Sequence, residues 1–521
     1  MDINAQELVT PYEKGNKNQT ATYEEAIAFY QLLARENDKV SISEYGMTDY
    51  GLPLHLVVIN ADKEFDPKKV IGKDKVILFI NNGIHPGETE GIDATMILAR
   101  NLAFNKKYKN LLKHVVVCIV PIYNIGGAKN RNEYSRANQN GPEAYGFRGN
   151  AKNYDLNRDF IKMDSKNAWT FAEIFQEWQP DIFIDNHTSN GADYQYTMTL
   201  IASQVSKVAE PYRNYWEQEM KPKLYDYMEK KNFPLVPYVM SKGKTPEAEG
   251  IVDFMDSPRY SSGYTNLFQT LSFVPETHML KPFDERMKST YELMKGFLSI
   301  IEIDYKNIID SRKRSQEMFK HLEKWTIDWE LDTTRYEEID FQGYEATNKK
   351  SEVTGMDRLY YDRTKPFKQK IKYYNHYKPK TEVSVPKAYL IPQQWQNIIN
   401  RLNQNNVEMT PLDMDKSLYV ETYLIKEFDS ASFPFEGHYI HSNTKVELTE
   451  QRLKFREGDM LVPTDQLRKR FLLETLEPHA TDSYFNWNFF DMILQQKEHF
   501  SSYVFEDIAA DLINENEVLR S

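Results

Sequence analysis

A mixed, mostly parallel α/β domain, followed by a smaller α+β region rich in antiparallel strands, is the fold class that this 521-residue sequence predicts. Three observations carry it. Continuous apolar runs alternate with amphipathic helical spacing up to about His187, the pattern of a sheet covered by helices on both faces. Near residue 305 the texture changes, and charged helical spacing gives way to short alternating segments. The chain is also too long for one hydrophobic core. The expected domains are therefore residues 1–305 and 306–521.

The elements follow in order. Residues 23–36 have amphipathic helical spacing. "LPLHLVVIN" (52–60) and "KVILFINNG" (75–83) read as strands, and "ETEGIDATMILARNLAF" (88–104) as a helix with Ile92, Met96, Leu98, Ala99 and Leu102 on its apolar side. "HVVVCIVPIYN" (114–124) is a buried strand. "NAWTFAEIFQEWQ" (167–179) is helical, and "PDIFIDNH" (180–187) is a strand again. Further on, "DSRKRSQEMFKHLEKWTIDWE" reads as a charged helix. "FKQKIKYYNHY", "TEVSVPKAYLI" and "LYVETYLIKEF" read as antiparallel strands, and the last 35 or so residues as mostly helical.

Composition removes several function classes. A formal charge of −12 repels phosphate backbones, so nucleic acid is not an expected partner. No apolar run reaches the length of a membrane span. The single cysteine, Cys118, lies inside a strand. It reads as a small buried hydrophobe, which argues against a thiol catalyst and a cysteine-based zinc site. "NAQEL" near the N-terminus is similar to the tail of a bacterial export signal. Localisation therefore leans to an exported protein, with the cytoplasm left open. Oligomeric state is not legible.

The chemistry centres on "NNGIHPGETEG" (81–91), where an apolar strand breaks into a turn holding His85 and Glu88. Taken alone, that pair reads more plainly as a turn with a capping carboxylate. His187, however, ends a later strand, and ligands collect at the carboxyl ends of strands in open α/β sheets. Two imidazoles and a carboxylate plus a water make a catalytic zinc set. Asp185, two residues before His187, would share its side of the strand, and reads equally as a group that orients a ligand or as a plain solvated carboxylate.

Between the two ligand segments lies "GFRGNAKNYDLNRDF" (146–160), with Arg148, Asn157 and Arg158. Downstream, "LSFVPETHML" (271–280) is a strand carrying Glu276. This set resembles the carboxypeptidase A-type family of zinc metallocarboxypeptidases, in a bacterial form with a C-terminal accessory module. The resemblance covers roughly residues 20–300, including the opening segment "EYGMTDYGLPLHLVVI". It departs at Asn124-Ile-Gly-Gly127, where the family usually has Asn-Pro-Asp-Gly. It implies one zinc ion per chain held by His85, Glu88 and His187. It also implies a metal-activated water, with Glu276 as general base. Arg148 would stabilise the oxyanion, and Asn157 and Arg158 would hold the terminal carboxylate of a peptide substrate. A mobile family tyrosine finds candidates in Tyr260 and Tyr264, of which Tyr260 is the one carried forward. Arg259 is either a side-chain pocket residue or a surface arginine.

The implied activity is removal of a C-terminal residue from peptides with a free carboxylate. An amidohydrolase or deacylase on the same scaffold, acting on N-acyl amino acids or cell-wall peptides, is the alternative. A non-catalytic binding protein is a third reading, disfavoured because every ligand and the base are present.

Overall fold

The computed structural model describes residues 8–520. The "NAQE" stretch on which the export reading rests lies outside the described residues. The first half is built on a mixed sheet. Its strands are β1 (Val40–Met47), β2 (Pro53–Asn60), β3 (Val76–Asn81), β4 (Val115–Val120), β5 (Ile182–Asp185), β6 (His187–Ser189), β7 (Met198–Ala202) and β8 (Leu235–Pro237). Two short strands, β9 (Met240–Ser241) and β10 (Ile251–Val252), precede β11 (Leu271–His278). The main path runs β1-β2-β4-β3-β5-β11-β7-β8, with β6 paired to β11. The central pairs β4/β3, β3/β5 and β5/β11 are parallel, while β1/β2, β2/β4 and β11/β7 are antiparallel.

The continuous apolar runs are explained by two cores. Alternate side chains of a strand point to opposite faces. In β3, Val76, Leu78 and Ile80 face the core under the helices Glu90–Phe104 and Phe283–Lys320. Ile77 and Phe79 face a second core with Phe171 and Phe175 of the helix Lys166–Trp178. β4 splits in the same way, which places Cys118 in the second core, fully buried and unpaired.

That second core is completed by residues from much later in the chain, including Ile391, Ile399, Leu402, Phe471 and Trp487. The helix Phe283–Lys320 runs unbroken through residue 305 and delivers the chain to the strand-rich part. There follow β12 (Lys324–Leu331), β13 (Glu337–Lys350), β14 (Asp357–Tyr374), β15 (Tyr377–Ser384), β16 (Ala388–Ile391), β17 (Thr410–Pro411), β18 (Lys416–Ser430), β19 (His441–Phe455) and β20 (Met460–Pro463). β12/β15, β13/β14, β16/β20 and β18/β19 are all antiparallel.

Two expectations change. The charged helix reading over "DSRKRSQEMFKHLEKWTIDWE" holds only to Lys320, and Lys324–Leu331 is a strand. Trp325, Ile327 and Trp329 alternate with polar residues, a period-two pattern that overrides the charge. At the C-terminus, the helix Ser502–Glu515 forms, but residues 484–501 hold only a 3₁₀ turn at Asp491–Leu494. No helix among the described residues is long and apolar enough to cross a membrane.

Phe79 sits at the centre of this scaffold, fully buried and edge-on to Phe171 at 5.8 Å. Phe79→Ala should destabilise the protein by about 3–5 kcal/mol, read as a lower denaturant midpoint.

Candidate metal centre and substrate pocket

Four strand ends meet at one edge. β3 ends at Asn81, and the chain turns through His85, where the Glu88 N–H donates to the His85 carbonyl at 2.8 Å. β5 ends at Asp185, and His187 opens β6. β6 runs parallel to β11, with Glu276 opposite His187. The turn is tight because glycines permit it: a Cβ on Gly87 would lie 2.5 Å from Arg136 Cδ and 3.0 Å from the Gly146 carbonyl. Asn124 accepts the Gly127 N–H at 2.8 Å and donates to the carbonyls of Ile84 and Arg148, so this turn binds the His85 loop to the Arg148 loop. A Cβ on Gly127 would meet the Phe147 carbonyl at 2.4 Å, which accounts for glycine there.

His85, Glu88 and His187 are all buried, and one ligand atom from each lies within 4.8 Å of the others. His187 Nδ1 is 2.9 Å from Glu88 Oε2, and His85 Nδ1 is 3.2 Å from Glu88 Oε1. The far nitrogens are held from behind. His187 Nε2 is 2.8 Å from Asp185 Oδ2, and His85 Nε2 is 2.9 Å from Asp155 Oδ1. An aspartate on Nε2 fixes the ring and turns Nδ1 into the cluster. His85 Nδ1 is buried without a hydrogen bond. A divalent cation bound by His85, Glu88 and His187 would satisfy it, and the two-imidazole, one-carboxylate donor set suits zinc.

Around the triad, Arg136 donates to Glu88 Oε1 at 2.9 Å and to the Thr188 carbonyl at 3.1 Å. Burial opposes ionisation of Glu88, but His85, Arg136 and His187 hold its carboxyl well below the usual range. Glu276 is shifted the other way. Burial, with Glu88 adding, pushes its carboxyl up to about 8, against the pull of His187 and Arg148.

A cavity of about 650 Å³ opens over these groups, lined by Arg148, Asn157, Arg158, Tyr260 and Glu276 together with the triad. Arg148 Nε donates to Asp155 Oδ2 at 3.0 Å. Arg158 lies 4.6 Å over the Tyr260 ring. Asn157 accepts the Ser261 N–H at 3.0 Å, which ties the Asn-Arg pair to the segment carrying Tyr260. Tyr264 is elsewhere, fully buried with its hydroxyl on Asn405. Arg259 does not line this cavity. Its Nε donates to Asp482 at 2.7 Å, and its guanidinium lies 5.0 Å over Trp487, so it ties the two halves together.

Three residues at the site carry no role that is legible in the sequence. Asp155 stood in the quoted "YDLNRDF" without a role. Arg136 lies 48 residues beyond Glu88 in an unmarked polar loop. Tyr238, which lines the cavity, follows the short strand β8.

With that geometry in place, the comparisons decide the family. Residues 26–267 match the profile of the zinc carboxypeptidase family. Residues 26–267 are a zinc carboxypeptidase domain. That domain is of the metallocarboxypeptidase hydrolase type. The match ends nine residues before Glu276, which the β6/β11 register sets opposite His187. The chain is 21% identical over 476 residues to "Carboxypeptidase 2" of Trichophyton equinum, covering 88% of this chain and 81% of that one. It is 20% identical over 426 residues to "Probable carboxypeptidase 2" of Arthroderma benhamiae, covering 78% and 74%. These relatives are fungal, whereas the motifs suggested a bacterial form. Among solved structures, a metallo-carboxypeptidase from Burkholderia cenocepacia aligns with a TM-score of 0.40 at 17% identity, covering 54% of this chain and 70% of that one. The carboxypeptidase A from Helicoverpa armigera aligns at 0.41 and 14% identity, covering 57% and 74%.

Asp185→Asn should loosen zinc by about 10- to 100-fold in a chelator competition, because His187 loses the carboxylate that orients its ring. Unchanged zinc retention would contradict the bracing described here.

Proposed function

We propose that this protein hydrolyses the C-terminal peptide bond of peptides bearing a free carboxylate, with one zinc ion per chain. The observation that carries the reading is the placement of Arg158 and Asn157 on the wall of the cavity that holds the triad and Glu276. Zinc bound by His85, Glu88 and His187 would lower the pKa of a water and polarise the scissile carbonyl.

The chain's own residues do the rest. Glu276 faces the cavity from β11, where its ionised form takes a proton from the attacking water and passes it to the leaving amine. A half-buried carboxyl with a raised pKa is suited to holding that proton between the two steps. Arg148, held by Asp155, is placed to stabilise the oxyanion of the tetrahedral intermediate. Arg158 presents a planar fork that bonds both oxygens of a carboxylate, with the Asn157 amide beside it. Tyr260 stacks under Arg158 and limits the directions the guanidinium can take. It is assigned that holding part, with direct contact to the scissile bond as its further role.

The carboxylate-anchor reading separates this activity from deacylation on the same scaffold. A blocked dipeptide with a free C-terminus should be hydrolysed, and its C-terminal amide should not. Arg158→Gln should raise KM for the free acid by about 10- to 100-fold, the worth of a charge-assisted hydrogen-bond pair. Equal hydrolysis of acid and amide would rule out the anchor and favour an amidohydrolase.

A further inference from the structure

The β18/β19 ribbon belongs to the C-terminal part, yet its turn reaches the carboxypeptidase site. Glu436 Oε2 accepts the backbone N–H of Asp155 at 2.9 Å. A Cβ on the next residue, Gly437, would lie 3.4 Å from the Tyr154 ring, and His438 Nε2 is 2.6 Å from Asp164 Oδ2. The turn is closed by paired backbone hydrogen bonds between Phe435 and His438, at 2.8 and 3.0 Å. Phe435 stacks on Trp487, and His438 Nδ1 is 2.6 Å from Asn488 Oδ1. Glu436 itself has φ of +50°, a left-handed conformation that costs a non-glycine residue energy and persists only where the surroundings enforce it. Its carboxylate is therefore delivered to one place.

That place matters because of what Asp155 holds. Its Oδ1 faces His85 Nε2 and accepts the Asn157 N–H, and its Oδ2 accepts from Arg148. Arg158 follows in the same 3₁₀ turn, Leu156–Arg158. Fixing the Asp155 backbone fixes a metal ligand, the oxyanion arginine and the carboxylate anchor together.

We propose that Glu436 is a positioning residue for the reaction. Through it, the C-terminal part locks Asp155 and thereby aligns His85, Arg148 and Arg158. The proposal rests on the site reading given above. It assigns the late half of the chain a part in the chemistry beyond filling the second core.

The test compares Glu436→Ala, Glu436→Asp and Glu436→Gln in the full chain. Zinc retention is measured by chelator competition, kcat and KM with a blocked dipeptide acid, and folding by the thermal midpoint. Glutamine keeps an oxygen acceptor at the same reach, so it should stay within about threefold of wild type in every readout. Alanine removes the acceptor and aspartate withdraws it. Each should loosen zinc and raise KM by roughly tenfold, the lower end for groups acting behind a ligand. Wild-type zinc retention and KM in Glu436→Ala, or equal losses in the glutamine and alanine variants, would overturn the proposal. If alanine prevents folding, the aspartate variant carries the comparison. If wild type hydrolyses no dipeptide, the carboxypeptidase reading fails, while zinc retention across the three variants still decides the part played by Glu436.

Discussion

Two imidazoles share one buried carboxylate at the edge of the sheet, and each imidazole is gripped from behind by an aspartate. His187 leans on Asp185 and His85 on Asp155, so both Nδ1 atoms converge on Glu88. Much of the molecule serves that arrangement. Burying a carboxylate is costly unless it is paired, and here Arg136 and the two histidines supply the compensation. Asp185 also accepts from Ser261, so the grip on His187 extends into the wall that carries Tyr260. Asp155 extends the grip on His85 to Arg148 and the Asn-Arg pair.

The sheet makes the convergence possible. β3 and β5 are neighbours, and β11 lies beside β5, so His85, His187 and Glu276 leave the same edge although they are far apart in sequence. The register of β6 against β11 sets Glu276 directly opposite His187. The C-terminal half is joined to this edge by apolar residues of the second core, by the Arg259–Asp482 pair and by the turn at Glu436. It therefore packs as an integral part of the carboxypeptidase scaffold.

What was legible in the sequence follows from where each signal is written. The strands β2 to β5 announced themselves because their side chains enter two cores, which writes unbroken apolar runs. The HPGE turn, the "DLNR" block and the strand-end Glu276 were legible because each is a local pattern at a strand or turn boundary. Arg136, Tyr238 and Glu436 were not, since each is an ordinary residue for its loop and gains meaning only through contacts made across the fold. Arg259 shows the same limit from the other side. Its sequence neighbourhood left a pocket role and a surface role open, but the carboxylate that claims it is Asp482, 223 residues on. β12 was misread because charge was weighed above the alternation of Trp325, Ile327 and Trp329.

The most direct test of the central claim is zinc content measured together with hydrolysis of blocked dipeptides, for wild type and Glu276→Gln. The account predicts about one zinc per chain in both proteins, with kcat lowered by about 10²- to 10⁴-fold in the variant, because only proton transfer is removed. Absence of bound zinc after zinc is supplied, or full activity in Glu276→Gln, would contradict it.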